Sequence, residues 1–257
     1  MLVGEGGNIG VFSGADGHLV VDDQFERMVP KILAAIKAID DKPVRYLINS
    51  HYHGDHSGGN IGMREHGADI IAHDNVRVRL STPTENKLWG RTTQPVDEAA
   101  WPVITYSDGS TIYINGSAVQ MIHVPNAHTD GDSLIYFEGA DVLHMGDTFF
   151  HNMLPYIDVD SGGAINGMIA AHDKALGMIT DKTKIIPGHG ALASKADLQK
   201  TRDMLVDIRD IIAAEIATGD DLDTILARNP LEKYAEYGRW ITPEIMTKII
   251  FRSLSSG

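Results

Sequence analysis

The stretch that most constrains this chain is His51-Tyr52-His53-Gly54-Asp55-His56, which closely follows the apolar run Val44-Arg45-Tyr46-Leu47-Ile48. It sets four ligand-type side chains into six positions where a strand should end. Buried imidazoles and carboxylates each need a partner for their polar atoms, so crowding them is unfavourable unless one group satisfies them together. A metal ion does so. The competing reading is a polar loop whose histidines only satisfy hydrogen bonds. Side chains alternate along an extended strand, so His51 and His53 point to one side. Gly54 then lets the backbone turn and aim Asp55 and His56 elsewhere, which favours two adjacent metals over one.

Three later stretches repeat the arrangement. His128, in Pro125-Asn126-Ala127-His128, follows a strand expected over 117–124. Asp147 follows Leu143-His144-Met145-Gly146, and His189 follows Ile185-Ile186-Pro187-Gly188. Four strand ends thus each deliver His or Asp, and α/β active sites gather at the carboxyl ends of strands. The chain has no cysteine, so disulfides and thiolate ligands are excluded and any metal must be held by His, Asp or Glu.

The remaining pattern fits a single domain over 1–257. Asp16-Gly17 between two apolar runs predicts a hairpin. A helix follows to about Ile39, with Ile32, Leu33, Ile36 and Ile39 on one face and Pro30 near its start. Further strands are expected at 44–49, 69–73, 102–106, 111–115, 117–124, 132–138, 141–145 and 184–186. Asn115-Gly116 is a two-residue hairpin turn. A short helix ends at Gly67. The segment 81–101, polar and carrying Trp89 and Trp101, reads as a long loop flanking the site. From 161 the chain turns helical, and Ser194-x-x-Asp197 opens a long helix that Gly219 stops. This order suits an α/β fold with helices outside two sheets and C-terminal helices 195–255 packed on it.

Net charge is −13. An acidic surface repels phosphate backbones, which excludes nucleic acid and leaves a small-molecule substrate. No apolar run is long enough to span a bilayer, so no membrane partner is expected. The N-terminus lacks the basic region and apolar core of a signal peptide. A cytoplasmic location is therefore expected, or a periplasmic one if a leader has been removed. Nothing in the sequence sets the oligomeric state.

Taken together, His-x-His-x-Asp-His, the lone His128, Asp147 and Gly188-His189 resemble the signature of the metallo-β-lactamase fold superfamily, over most of the chain. The resemblance implies an αββα sandwich of two mixed β-sheets flanked by helices, with metals at one edge. It implies one zinc on His51, His53 and His128, a second on Asp55, His56 and His189, and Asp147 bridging both. Iron or manganese would tolerate the same N/O donors. Asp55 would also orient the nucleophilic hydroxide, and Asp22 would support the His cluster from behind. The other histidines, among them His73, His144 and His172, read as core or supporting residues.

The implied activity is that of a metal-dependent hydrolase attacking a small carbonyl substrate, with weak or promiscuous β-lactamase activity. A lactonase or a glyoxalase II-like thioesterase is the alternative. A mononuclear iron dioxygenase using His51, His53 or His128 with Asp147, or a non-catalytic metal-binding protein, stands further off. Phe150 departs from the lysine of one β-lactamase subclass and from the tyrosine of acyl-homoserine lactonases. Serine is usual at the Asp147 position in the subclass that otherwise matches. The C-terminal Lys233 and Arg239 do not reproduce the basic glutathione site of glyoxalase II-type enzymes. Trp89, Trp101, Phe149 and Phe150 are expected to form an apolar wall for the substrate, with His151 facing it; simple packing aromatics are the competing reading.

Overall fold

Alternation of side chains along the strands sorts the apolar residues into three layers of core. The computed structural model describes residues 1–255. In β2 (Gly17–Val21), Leu19 and Val21 face one side and Val20 the other. The same division separates Leu47 from Ile48 in β3 (Val44–Ile48), Ile70 from Ile71 in β4 (Asp69–His73), and Leu134 from Ile135 in β10 (Ser133–Phe137).

One sheet has the order β1-β2-β3-β4-β7, adding β1 (Gly10–Gly14) and β7 (Ile104–Tyr106). The other runs β12-β11-β10-β9-β8, with β8 (Gly109–Ile114), β9 (Ser117–His123), β11 (Val142–His144) and β12 (Lys184–Ile186). Leu19, Val21, Ile48 and Ile71 of the first sheet meet Val119, Met121, Ile135 and Phe137 of the second in the central layer. Outside the first sheet, α1 (Val29–Ile39) packs Ile32 and Ile36 on Val20, Leu47 and Ile70, with Met63 of α3 (Asn60–Glu65) beside them. Outside the second, α5 (Ile165–Met178), α6 (Lys195–Ala217) and α8 (Pro243–Ser255) bury Met168, Leu205, Ile208 and Ile249 against Leu134, Leu143 and Ile185. The result is the expected helix–sheet–sheet–helix order. The helix α7 (Leu222–Arg228) lies beside α8.

Strands β2, β3, β4 and β7 run parallel. Strand β10 is antiparallel to β9 and β11, and β12 is parallel to β11, so β9, β11 and β12 share a direction. The segments leaving β3, β9, β11 and β12 meet at one edge of the sandwich, where Ser133 N–H donates to Ser50 O across the sheets at 2.9 Å.

Local detail adds to these expectations and in places corrects them. Residues 74–81 form a helix, α4 (Asp74–Ser81), whose first turn is capped by the His73 ring accepting from Asn75 N–H. The stretch 81–101 is not a plain loop: β5 (Thr84–Asn86) and β6 (Arg91–Thr93) pair as a small antiparallel hairpin. The first hairpin turns on Ala15-Asp16, with Gly14 opposite Gly17. The Asn115-Gly116 turn is as expected, both residues taking positive φ, 54° and 72°.

Candidate metal centre

Gly54 opens α2 (Gly54–Ser57), a single helical turn, and lacks the positive φ that would demand glycine. The start of a helix, rather than glycine's freedom, therefore redirects the chain between His53 and Asp55. The rings of His51, His53 and His128 still meet, with centroids 4.7–4.9 Å apart. Nitrogen and carboxylate atoms of His51, His53, His128 and Asp147 lie within 4.8 Å of one another, as do those of Asp55, His56 and His189.

Asp147 joins the two groups. Its Oδ2 is 3.9 Å from His51 Nε2 and 3.6 Å from His128 Nε2. Its Oδ1 is 3.0 Å from His56 Nε2 and 3.4 Å from His189 Nε2. In the second group Asp55 Oδ2 is 3.2 Å from His189 Nε2 and 3.7 Å from His56 Nε2. A tetrahedral ion with donors at ~2.0–2.1 Å separates them by roughly 3.3–3.5 Å. The donor spacing fits such ions. His51 Nε2, fully buried, has no hydrogen-bond partner, an orphan that a metal would satisfy.

Four of the five imidazoles, those of His51, His53, His56 and His128, are held from behind so that the other nitrogen faces the centre. His56 Nδ1 is 2.7 Å from Asp22 Oδ2, and the same aspartate accepts from Ser50 N–H and Ser50 Oγ–H at 2.7 Å each. His51 Nδ1 lies 3.1 Å from Ser50 Oγ. His128 Nδ1 pairs with the Tyr156 carbonyl at 2.8 Å. His53 is reversed: its Nε2 meets Asp158 Oδ2 at 3.0 Å, so Nδ1 faces inward. Such backing contacts fix the tautomer that a ligand requires. Close approach is built in as well. A Cβ at Gly188 would meet Asp147 Oδ1 at 2.0 Å, and one at Gly7 would meet the His56 ring at 2.1 Å.

The charges are strongly coupled. Burial favours a neutral Asp147, but the imidazoles of His56 and His189 outweigh it and hold the carboxyl well below its usual range. Burial opposes charge on His189, yet Asp147 and Asp55 push it up to about 9. Burial alone dominates at His128, lowered to about 4. Asp55, despite its burial, is brought to about 2 by His56 and His189. The ionised carboxylates of Asp147 and Asp55 thus favour positive charge at the centre, which a metal cation would supply.

A cleft of about 630 Å³ opens over the centre and is lined by His53, Asp55, Asp147, Trp89, Tyr156 and Trp240 among others. Trp89 lines this cleft. The other aromatics expected in a substrate wall do not, and the expected wall is corrected there. Phe149 is fully buried and packs edge-on against His172, 5.7 Å between centroids. Phe150 is fully buried too, stacked on the His189 ring at 5.2 Å, so it backs a ligand instead of lining the cleft. Trp101 packs with Val76 and Leu80 under the Arg77 guanidinium. His151 turns away, its Nδ1 2.8 Å from the Ala191 carbonyl. Tyr156, Asp158 and Trp240 were not singled out by the sequence. An aspartate at the end of the apolar run Leu154-Pro155-Tyr156-Ile157-Asp158 is a signal for a buried, partnered carboxylate; Trp240 gives none.

A family model described as the metallo-beta-lactamase superfamily matches residues 3–212. The hydroxyacylglutathione hydrolase of Nitrosococcus oceani is 24% identical over 208 residues, covering 80% of this chain and 72% of that protein. A metallo-beta-lactamase from Pontibacter korlensis superposes with a TM-score of 0.63 at 17% identity, over 76% of this chain and 85% of that one. The stereoselective inverting sec-alkylsulfatase Pisa1 from Pseudomonas sp. matches 96% of this chain but 47% of its own, with a TM-score of 0.69 at 14% identity. At these identities the solved structures speak for the fold alone.

Proposed function

The chain belongs to the metallo-beta-lactamase superfamily, and from that premise we propose that it is a binuclear zinc hydrolase acting on a small acyl substrate, a thioester foremost. The observation that carries this reading is Asp147, whose two oxygens address two separate donor groups. The resemblance to hydroxyacylglutathione hydrolases supports thioester over lactam or lactone.

His51, His53 and His128 would hold one zinc, Asp55, His56 and His189 the other, and Asp147 both. Zinc held there would supply a water of lowered pKa, ~7, and a Lewis acid for the acyl oxygen. The chain's own residues do the rest. Asp55 stays ionised at neutral pH and faces the cleft, where it accepts a hydrogen bond and orients the nucleophile. Asp22, Asp158 and the Tyr156 carbonyl keep the imidazoles from rotating. Trp89, Tyr156 and Trp240 offer apolar surface to the acyl chain and exclude water beside it.

The test is Asp147→Ala. Loss of a shared ligand should lower zinc content from two to one or fewer per chain and cut thioester kcat at least ~100-fold. Unchanged metal content and rate would remove the bridging role. A panel adding a lactone and a β-lactam would show which acyl group is preferred, and one bound iron with oxygen uptake would favour an oxygenase.

A further inference from the structure

The β5–β6 hairpin carries a charge that no side chain among the described residues answers. Ten of the chain's eleven arginines have partners among the described residues, as Arg27 has Glu5, Arg79 has Asp130, Arg202 has Asp173 and Arg252 has Asp160. Arg91 has none, in a chain whose net charge is −13 and which is rich in carboxylates to pair with. It lines the cleft that contains His53, Asp55 and Asp147.

Strand geometry explains why it points there. In the register of the hairpin, Thr84 faces Thr93 and Asn86 faces Arg91. Alternation puts these four side chains on one face and Glu85 and Thr92 on the other. The first four line the cleft and the latter two do not. The hairpin is also fixed at its turn end, beside Arg91. Asn86 Nδ2–H donates to Tyr156 Oη at 2.6 Å, and Lys87 N–H donates to Asp160 Oδ2 at 2.8 Å, with Asp160 paired in turn to Arg252 of α8. Arg91 is therefore presented on an anchored strand, next to Thr93 and Gln94.

We propose that Arg91 binds a carboxylate on the substrate, so that the enzyme selects acyl compounds with an apolar body and an anionic tail. A guanidinium matches a carboxylate through two parallel N–H donors. One arginine flanked by neutral Thr93 and Gln94 suits a singly charged group. A phosphate, by contrast, draws several backbone donors or cations. The aromatic surface of Trp89, Tyr156 and Trp240 would lie along the apolar body. This assignment rests on the hydrolase reading for its reaction but not for its binding.

The experiment uses the zinc-loaded protein and two phenylacetyl thioesters, one of 3-mercaptopropionate and one of 3-mercaptopropionamide. The wild-type protein should favour the carboxylate by ~10- to 100-fold in kcat/KM, the scale of one charge-assisted hydrogen-bonded pair. Arg91→Met should bring that ratio to near one, mainly through KM. Arg91→Glu should invert it, and Arg91→Lys should restore part of it. Thr92→Ala, on the far face, should leave the ratio alone. The non-hydrolysable thioether analogues, titrated calorimetrically, give the same comparison in Kd. Hydrolysis with a ratio near one in the wild-type protein, or an equal ratio in Arg91→Met, would overturn the role of Arg91 and leave the hydrolase standing. Arg91-dependent preference in Kd without turnover of either thioester would keep Arg91 and sink the hydrolase. Equal Kd values for both analogues in the wild-type protein would overturn the proposal even then.

Discussion

At the scale of single residues, the centre depends on the side chains that hold its imidazoles in place. Asp158 accepts from Tyr52 Oη–H at 2.9 Å and holds His53 Nε2 at 3.0 Å. It is buried, yet hydrogen bonds from His53, Ser161 and Tyr52 overcome the burial and keep its carboxyl below the usual range. Asp158→Ala should free the His53 ring and weaken zinc binding ~10- to 100-fold, read by competition with a chromophoric chelator. Unaltered affinity would show that His53 is held by packing alone. The seven side chains that gather at the centre could be picked out in the sequence because each follows a strand through a short polar segment, a local pattern. Asp158, Tyr156 and Trp240 could not. They reach His53 or His189 only through the fold, from about a hundred residues away in the case of Asp158 and about fifty in the case of Trp240. Phe149 and Phe150 misled for the opposite reason: they are near Asp147 in sequence, but the backbone turns both into the core.

At the scale of elements, the strands and long helices follow from apolar periodicity, whereas α4 and the β5–β6 hairpin do not. Asp74-Asn75-Val76-Arg77-Val78-Arg79 carries too few apolar side chains to mark a face, and only Val76 and Leu80 are buried. Thr84-Glu85-Asn86 and Arg91-Thr92-Thr93 are polar on both faces, so no alternation reveals them. Helix α5 makes its own prediction. His172 is fully buried, and its Nε2–H donates to the Thr148 carbonyl at 2.7 Å, tying α5 to the segment after Asp147. Burial lowers its pKa to about 4. Below pH ~6.5 the unfolded chain takes up a proton here that the folded chain refuses, so stability falls as pH drops from ~6.5 towards 4. The full effect is about 3 kcal/mol. His172→Gln should flatten the fall of Tm over that window in the metal-free protein; an identical slope in both proteins would remove His172 as a source of acid sensitivity.

At the scale of the whole molecule, three apolar layers pack the two sheets and their helices together. Helices outside two sheets, and His or Asp at four strand ends, were legible because period-two burial and the residues after each apolar run are written locally; the αββα sandwich with metals at one edge was what the family resemblance implied. The position of the C-terminal helices over the second sheet, which brings Trp240 to the His189 ring, needed the assembled fold. Since no core layer includes a metal ligand, chelation should abolish hydrolysis and leave far-ultraviolet circular dichroism and a cooperative thermal transition in place. Collapse of the dichroism on chelation would mean that metal is part of folding. The claim that two ions act together on an acyl substrate is tested most directly by titrating zinc into metal-free protein while following thioester hydrolysis. The rate should climb to a break at two equivalents per chain and then stay level. A plateau at one equivalent, or no hydrolysis at any zinc content, would contradict the account.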